Sequence, residues 1–113
     1  MINARIELKP LSVNQAWKGV RYKTDKYKSY ERSVMFLLPK RKIESKGMLR
    51  VELFFGFSSK ASDIDNPVKM TLDILQKKFG FDDKQIFELN VRKCIVKKGK
   101  EFTEISISNL LPI

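Results

Sequence analysis

Histidine is absent from the 113 residues, and its absence removes more chemistry than anything else in the composition. Without it there is no imidazole general base, no Ser/His or Cys/His nucleophile pair, and no zinc site that draws on histidine. Cysteine occurs once, as Cys94, in a stretch that reads as strand. A lone thiol makes neither an intrachain disulfide nor a metal cage, so a reducing cytosol is the expected setting. Long apolar runs are missing as well. Stretches such as Leu53-Phe54-Phe55-Gly56-Phe57 fall far short of the ~20 residues of a membrane helix, and the first residues carry no signal-peptide apolar segment. The expectation is a cytoplasmic protein with no membrane partner. There is no internal repeat and no low-complexity tract.

What is present suffices for a core. Hydrophobic residues make up 42% of the chain, with eight Phe, three Tyr and one Trp. A chain of this size buries roughly two-thirds of its unfolded surface. Residues 1–113 therefore read as one domain.

Acids are scarce, 13 against 23 Lys and Arg, for a net charge of +10. The excess is concentrated in residues 1–50, which hold 13 cations and 4 acids. A nucleic acid is the polyanion that best matches such a half, because each phosphate neutralised releases condensed counterions. A merely solubilising basic surface is the plainer alternative. Lys18, Arg21, Lys23 and Lys26 are interleaved with polar residues and Tyr22 rather than set on a continuous apolar helix face, which disfavours a membrane surface.

Local patterns predict the elements. Ile2, Ala4, Ile6 and Leu8 alternate with polar residues, as in a half-buried strand ended by Pro10. Residues 11–26 read as a long loop. From Asp25 to Leu38, Tyr27, Tyr30, Val34, Leu37 and Leu38 recur at helical spacing before Pro39, and Lys40-Arg41-Lys42 suits the end of that helix. Leu49, Val51, Leu53, Phe55 and Phe57 mark the buried face of a central strand. Asn66-Pro67 predicts a capped helix start, Val68, Leu72, Leu75 and Phe79 its core stripe, and Gly80 its stop. Residues 86–97 and 101–110 alternate about Lys98-Gly99-Lys100, a predicted hairpin. The fold class is α+β: a small domain with a mixed or antiparallel sheet and two main helices.

One feature runs against the basic background. Asp63, Asp65, Asp73, Asp82 and Asp83 crowd into 21 positions. Carboxylates about 4 Å apart repel by ~1 kcal/mol in water and ~4 kcal/mol at an effective dielectric of 20, so crowding calls for a cation. Asp63 and Asp65, two apart in a segment expected to be extended, point the same way and form one jaw. The chain returning after the helix is expected to bring Asp82 and Asp83 beside them as the second jaw. Hard oxygens with open positions suit magnesium or manganese. Lys69, one turn into the helix, is placed to stabilise charge on a scissile phosphate attacked by metal-activated water. Each residue also has a plainer role: Asp65 as a helix cap, Asp82 and Asp83 as turn residues, Lys69 and Asp73 as a surface ion pair, Cys94 as an inert strand residue. Trp17 and Tyr22 suit either base stacking or docking of the loop.

Asp63-Ile64-Asp65-Asn66, Lys69, Asp73 and Gly80-Phe81-Asp82-Asp83-Lys84-Gln85 together closely resemble the RusA family of Holliday junction resolvases. Pro10-Leu11-Ser12-Val13-Asn14 and Lys93 extend the resemblance over most of the chain. The resemblance implies a homodimeric, magnesium-dependent endodeoxyribonuclease, often phage- or prophage-encoded, that cuts four-way DNA junctions by paired nicks and needs no protein cofactor. Carried over by position, Asp63, Asp65 and Asp83 are the metal-binding catalytic acids, Lys69 the catalytic lysine, and Asn66, Asp73 and Asp82 supporting residues. Lys60 and Lys93 join Lys18, Arg21, Lys23 and Lys26 as expected DNA contacts. The chain departs from the pattern at 57–62, where Lys60 is the one cation in place of the Arg-rich run of some members. Two other readings compete: a nuclease of another class, in which Asp82-Asp83-Lys84 supplies an acid-x-Lys element, and a non-catalytic nucleic-acid-binding module.

Overall fold

A computed structural model describes residues 2–11, 17–18 and 22–110, with Trp17, Lys18 and Tyr22 described by backbone alone. The opening alternation forms β1, Ile2–Ile6, with Ile2 and Ile6 buried and Asn3 and Arg5 exposed. Leu8 packs against the core beyond the strand. Within the segment read as a loop, Trp17–Lys18 (β2) and Tyr22–Lys23 (β3) pair antiparallel. Strands of two residues are too short to leave a legible alternation.

Helix α1 spans Asp25–Leu37, and the Thr24 hydroxyl oxygen accepts the Tyr27 N–H at 3.1 Å as its N-cap. Tyr27 and Val34 are buried, but Leu37, expected in the core, is 52% exposed. The helix ends there, and the extended backbone at Leu38 turns that side chain inward instead. Strand β4, Leu49–Phe57, buries Leu49, Val51, Leu53, Phe55 and Phe57 as expected of a central strand.

Asn66 does not cap the second helix. Its N–H bonds the Asp63 carbonyl at 3.3 Å, the Val68 N–H bonds the Asp65 carbonyl at 3.2 Å, and no side chain caps α2, Val68–Phe79. The segment expected to be extended is thus wound into turns. Met70, Ile74, Leu75 and Phe79 fill the core, while Val68 and Leu72 only flank it. Apolar residues stand on more than one side of α2, so spacing alone admits both stripes. Gly80, at φ 75°, closes the helix by donating to the Gln76 carbonyl at 2.8 Å.

The sheet order is β1-β6-β4-β5, where β5 is Ile86–Ile95 and β6 is Phe102–Asn109. β5 runs parallel to β4, and β6 antiparallel to both β4 and β1. The predicted hairpin does not form. Its tight turn exists, with the Lys100 N–H on the Lys97 carbonyl at 2.9 Å, but the strands it joins lie on opposite sides of β4. A buried strand needs partners for the polar groups on both its edges, and β4 takes β5 for one and β6 for the other.

The helices cover one face of the sheet. On the other, Arg5 pairs with Glu104 and Arg50 with Glu88, and the guanidiniums of Arg5 and Arg92 lie 3.9 and 4.6 Å from the Phe102 and Phe54 ring centres. The Phe102 ring crosses Gly56 so closely that any Cβ at 56 would collide with it. The architecture is the α+β class expected, a mixed four-stranded sheet with two helices. No helix among the described residues is long and apolar enough to cross a membrane.

Candidate functional site

The turns between β4 and α2 carry Asp63 and Asp65. Their backbone carbonyls are spent on Asn66 and Val68, which orders the turn. Their carboxylates are exposed and take part in no hydrogen bond or ion pair among the described residues. Lys93 of β5, expected to contact DNA, donates to the Ser62 carbonyl at 2.7 Å and so pins the turn just before Asp63. Beside it lies a pocket of 240 Å³ lined by Lys9, Pro10, Ser58, Asp63, Asn66 and Glu101, among others.

Glu101 is a site residue that the sequence patterns do not single out, because an acid at the head of a strand matches no motif. It accepts the Ser58 hydroxyl and the Gly99 N–H, each at 2.8 Å. Its own backbone N–H, then the Ser58 hydroxyl, holds the carboxyl below its ordinary range. Lys69, one turn into α2 and well exposed, pairs with Asp73 at 3.4 Å.

Asp82 and Asp83 are differently placed. Asp82 heads the short 3-10 turn Asp83–Gln85 with a reciprocal cap: its carboxylate accepts the Lys84 N–H at 2.9 Å, and Gln85 Oε1 accepts the Asp82 N–H at 3.1 Å. The Lys84 N–H, followed by a hydrogen bond with Asp83, lowers the Asp82 pKa. The Asp83 N–H donates to Gln76 Oε1 at 3.0 Å, near the C-terminus of α2. Gln85 Nε2 reaches the carbonyls of Ser45 and Gly47, ahead of β4.

This corrects the expectation that one chain closes both jaws. The 12 residues of α2 span about 18 Å, with Asp65 before one end and Asp83 beyond the other. Among the described residues, no group of three His, Cys, Asp or Glu stands close enough to hold a metal ion. The parallel direction of β5 is the cause. The residues before it lie level with the start of β4, and only those late in it, such as Lys93 and Val96, come back to Ser62 and Phe57. The acid-x-Lys element Asp82-Asp83-Lys84 likewise sits in a capped turn rather than on a strand.

The cations divide into two groups. Lys9 and Lys26 line a groove of 410 Å³ between the segment after β1 and α1, and Lys9 also lines the acid pocket, so the two depressions adjoin. Lys60 is exposed in the loop after β4. Lys23 lies 4.8 Å from the Tyr27 ring centre and 3.3 Å from Glu31, which Lys77 shares at 3.1 Å. Burial raises the Glu31 pKa, but the hydrogen bonds from Lys77 and Lys23 outweigh it and bring the carboxyl below its ordinary range. Lys77 thus ties α2 to Glu31 of α1, and Lys23 ties β3 to the same carboxylate. Arg21 and the Ser12-Val13-Asn14 segment lie outside the described residues, and Lys18 is described by its backbone alone. Lys40, Arg41 and Lys42, expected to serve the end of α1, gather instead with Lys77 and Lys78 at the end of α2. Lys42 donates to the Lys78 carbonyl there at 3.0 Å, where the helix dipole favours a cation.

Compared with models of protein families, residues 9–108 match Endodeoxyribonuclease RusA. The chain belongs to the RusA family. A comparison with curated proteins finds no match. The matched span contains every candidate acid and Lys69, and RusA membership makes the chain a nuclease of a Holliday junction resolvase family that acts on DNA. RusA nucleases are in general dependent on a divalent metal. The donors here suit such an ion: Asp63 and Asp65 offer two unengaged carboxylates beside a pocket, and magnesium typically takes one or two carboxylates together with substrate phosphate oxygens.

Proposed function

We propose that residues 1–113 act as one RusA-like endonuclease domain, a magnesium-dependent, structure-specific endodeoxyribonuclease that resolves four-way DNA junctions by paired symmetric nicks. On this reading it is a homodimer serving DNA recombination and repair in the bacterial cytoplasm, phage- or prophage-encoded, with manganese able to replace magnesium. The carrying observation is the unengaged Asp63/Asp65 pair, of which Asp63 lines a pocket that adjoins a basic groove.

Asp63 and Asp65 would hold the ion, with Asp83 of the partner subunit as the third acid, since no single chain brings all three together. When bound, the ion supplies an acidified water and neutralises phosphate charge. Lys9 and Lys26 grip the strand's phosphates, and Lys60 meets the backbone beyond them. Lys69 swings from Asp73 to the leaving oxygen and offsets the charge that develops there. Asn66, whose backbone closes the turn, keeps the two carboxylates in place. Two such sites related by a two-fold axis suit the two-fold symmetry of a four-way junction, which is selected by shape.

The test is cleavage of a synthetic four-way junction and of a linear duplex with magnesium, comparing wild type with Asp65→Asn. Wild type should nick the junction in opposing strands and spare the duplex, and Asp65→Asn should be inert. Full cutting by the variant would overturn the metal assignment.

A further inference from the structure

We infer that β5 is the seam of a dimer, two copies adding their β5 strands antiparallel about Asn90 to make one continuous sheet. The inference rests on the dimeric reading above and goes beyond it by naming the surface and its register.

β5 is a free edge. It has β4 on one side and no strand on the other among the described residues. The Val96 N–H points to β4, onto the Phe57 carbonyl at 2.8 Å, so in the alternation of a parallel ladder the odd-numbered residues 89 to 95 turn their N–H and C=O groups outward. Monomeric proteins usually blunt such an edge with proline, a bulge or a short strand. β5 has ten residues and no proline, its one register irregularity lies at its start, and its charges, Glu88, Arg92 and Lys93, are of both signs and so can pair across a two-fold. Leu89 (40%) and Ile95 (44%), opposite Val51 and Phe57 of β4, are exposed on the helix side of the sheet, and Phe87 (66%) is exposed at the irregularity, apolar surface that α1 and α2 leave uncovered. The other edge, β1, has five residues and no exposed large hydrophobic.

The occupant that fits is a second β5. Paired about Asn90, Glu88 faces Arg92 of the partner subunit and Leu89 faces Val91 of the partner subunit. Moving the axis by one residue either way sets Glu88 against Cys94 of the partner subunit or Asn90 of the partner subunit and loses the charge pair. The two-fold also reverses the ends. The Asp83–Gln85 turn, just before β5, then lies toward the C-terminal end of the other copy's β5, the end at which Lys93 holds the Asp63 turn. The helices of both copies then share one side, as do the acids.

The experiment is oxidation of Asn90→Cys in a Cys94→Ser background. Even-numbered residues form the non-hydrogen-bonded pairs at this seam, with Cα atoms about 4.5 Å apart, inside the roughly 4.4–6.8 Å that a disulfide spans. The variant should cross-link to a dimer, and Asn3→Cys with Cys94→Ser, on the β1 edge, should not. Light scattering should give twice the 13.2 kDa chain mass for wild type and a single chain mass for Leu89→Lys with unchanged circular dichroism. A dimer that cuts junctions, fails to cross-link at 90 and stays dimeric as Leu89→Lys overturns the β5 seam and leaves the nuclease standing. A wild type that is monomeric and cuts junctions overturns both the seam and the homodimer while leaving nuclease activity. A dimer cross-linked at 90 that cuts no junction supports the seam and overturns the function.

Discussion

The two acidic turns of this RusA-family chain flank one helix, and they are built on opposite principles. At the Asp82 turn the side chain of the first acid is spent on the fold, as an exposed cap whose oxygen accepts a backbone N–H. At the Asp63 turn the backbone does the folding and both side chains are left over. On the proposed reading, a loop ordered through its carbonyls leaves both carboxylates available to a cation. Asp83, beside the cap, is held by its own N–H on Gln76. Acids close in sequence thus divide into those that hold the chain and those that the chain holds out.

That division can be broken most severely at the open end. Asp63→Asn or Asp65→Asn should lower junction cutting by about 10²–10³-fold or more while leaving the melting temperature near that of wild type without metal, as read by single-turnover cleavage and calorimetry. Mixing Asp65→Asn with Asp83→Asn chains, each inert alone, should restore nicking. If one chain supplied all three acids, every site in the mixture would stay dead. A smaller effect is expected from the groove. Removing Lys9 and Lys26 together should weaken metal-free junction binding and reduce the slope of log affinity against log salt by about two, roughly one for each phosphate left without its lysine. Asp82→Ala, by contrast, should lower the melting temperature by a few degrees and leave cutting within about twofold, because it removes a cap and no donor.

The mildest effect is on acid stability, through Glu31. Its folded pKa lies below the usual 4.5, so it contributes stability that is full above that value and is lost as pH falls through the folded pKa. Urea midpoints should decline below about pH 4.5, and less steeply for Glu31→Gln, whose midpoint at pH 7 starts lower.

Much of the fold was legible because large apolar residues announce it. The five buried residues of β4 left one reading, and Gly80 marked the end of α2 by its backbone freedom. The hairpin was misread for a physical reason: Lys98-Gly99-Lys100 does make its turn, but a turn says nothing of whether a third strand will come between the two it joins. The acid motif was legible as a set of residues and not as a place. Whether Asp83 joins Asp63 depends on the direction of β5, which neither spacing nor charge encodes. Lys23, read from charge, and Lys93, read from the resemblance, each have a partner in the chain that neither signal announced, Glu31 for one and the Ser62 carbonyl for the other, because such partners depend on which groups the fold brings within reach.

The parallel return of β5 has a cellular consequence on the paired reading. A newly made or highly diluted copy carries only incomplete sets of acids, so cutting power grows faster than protein number. A cell holding a few stray molecules is thereby spared breaks in its chromosome, and resolution begins only when expression rises enough for copies to find each other.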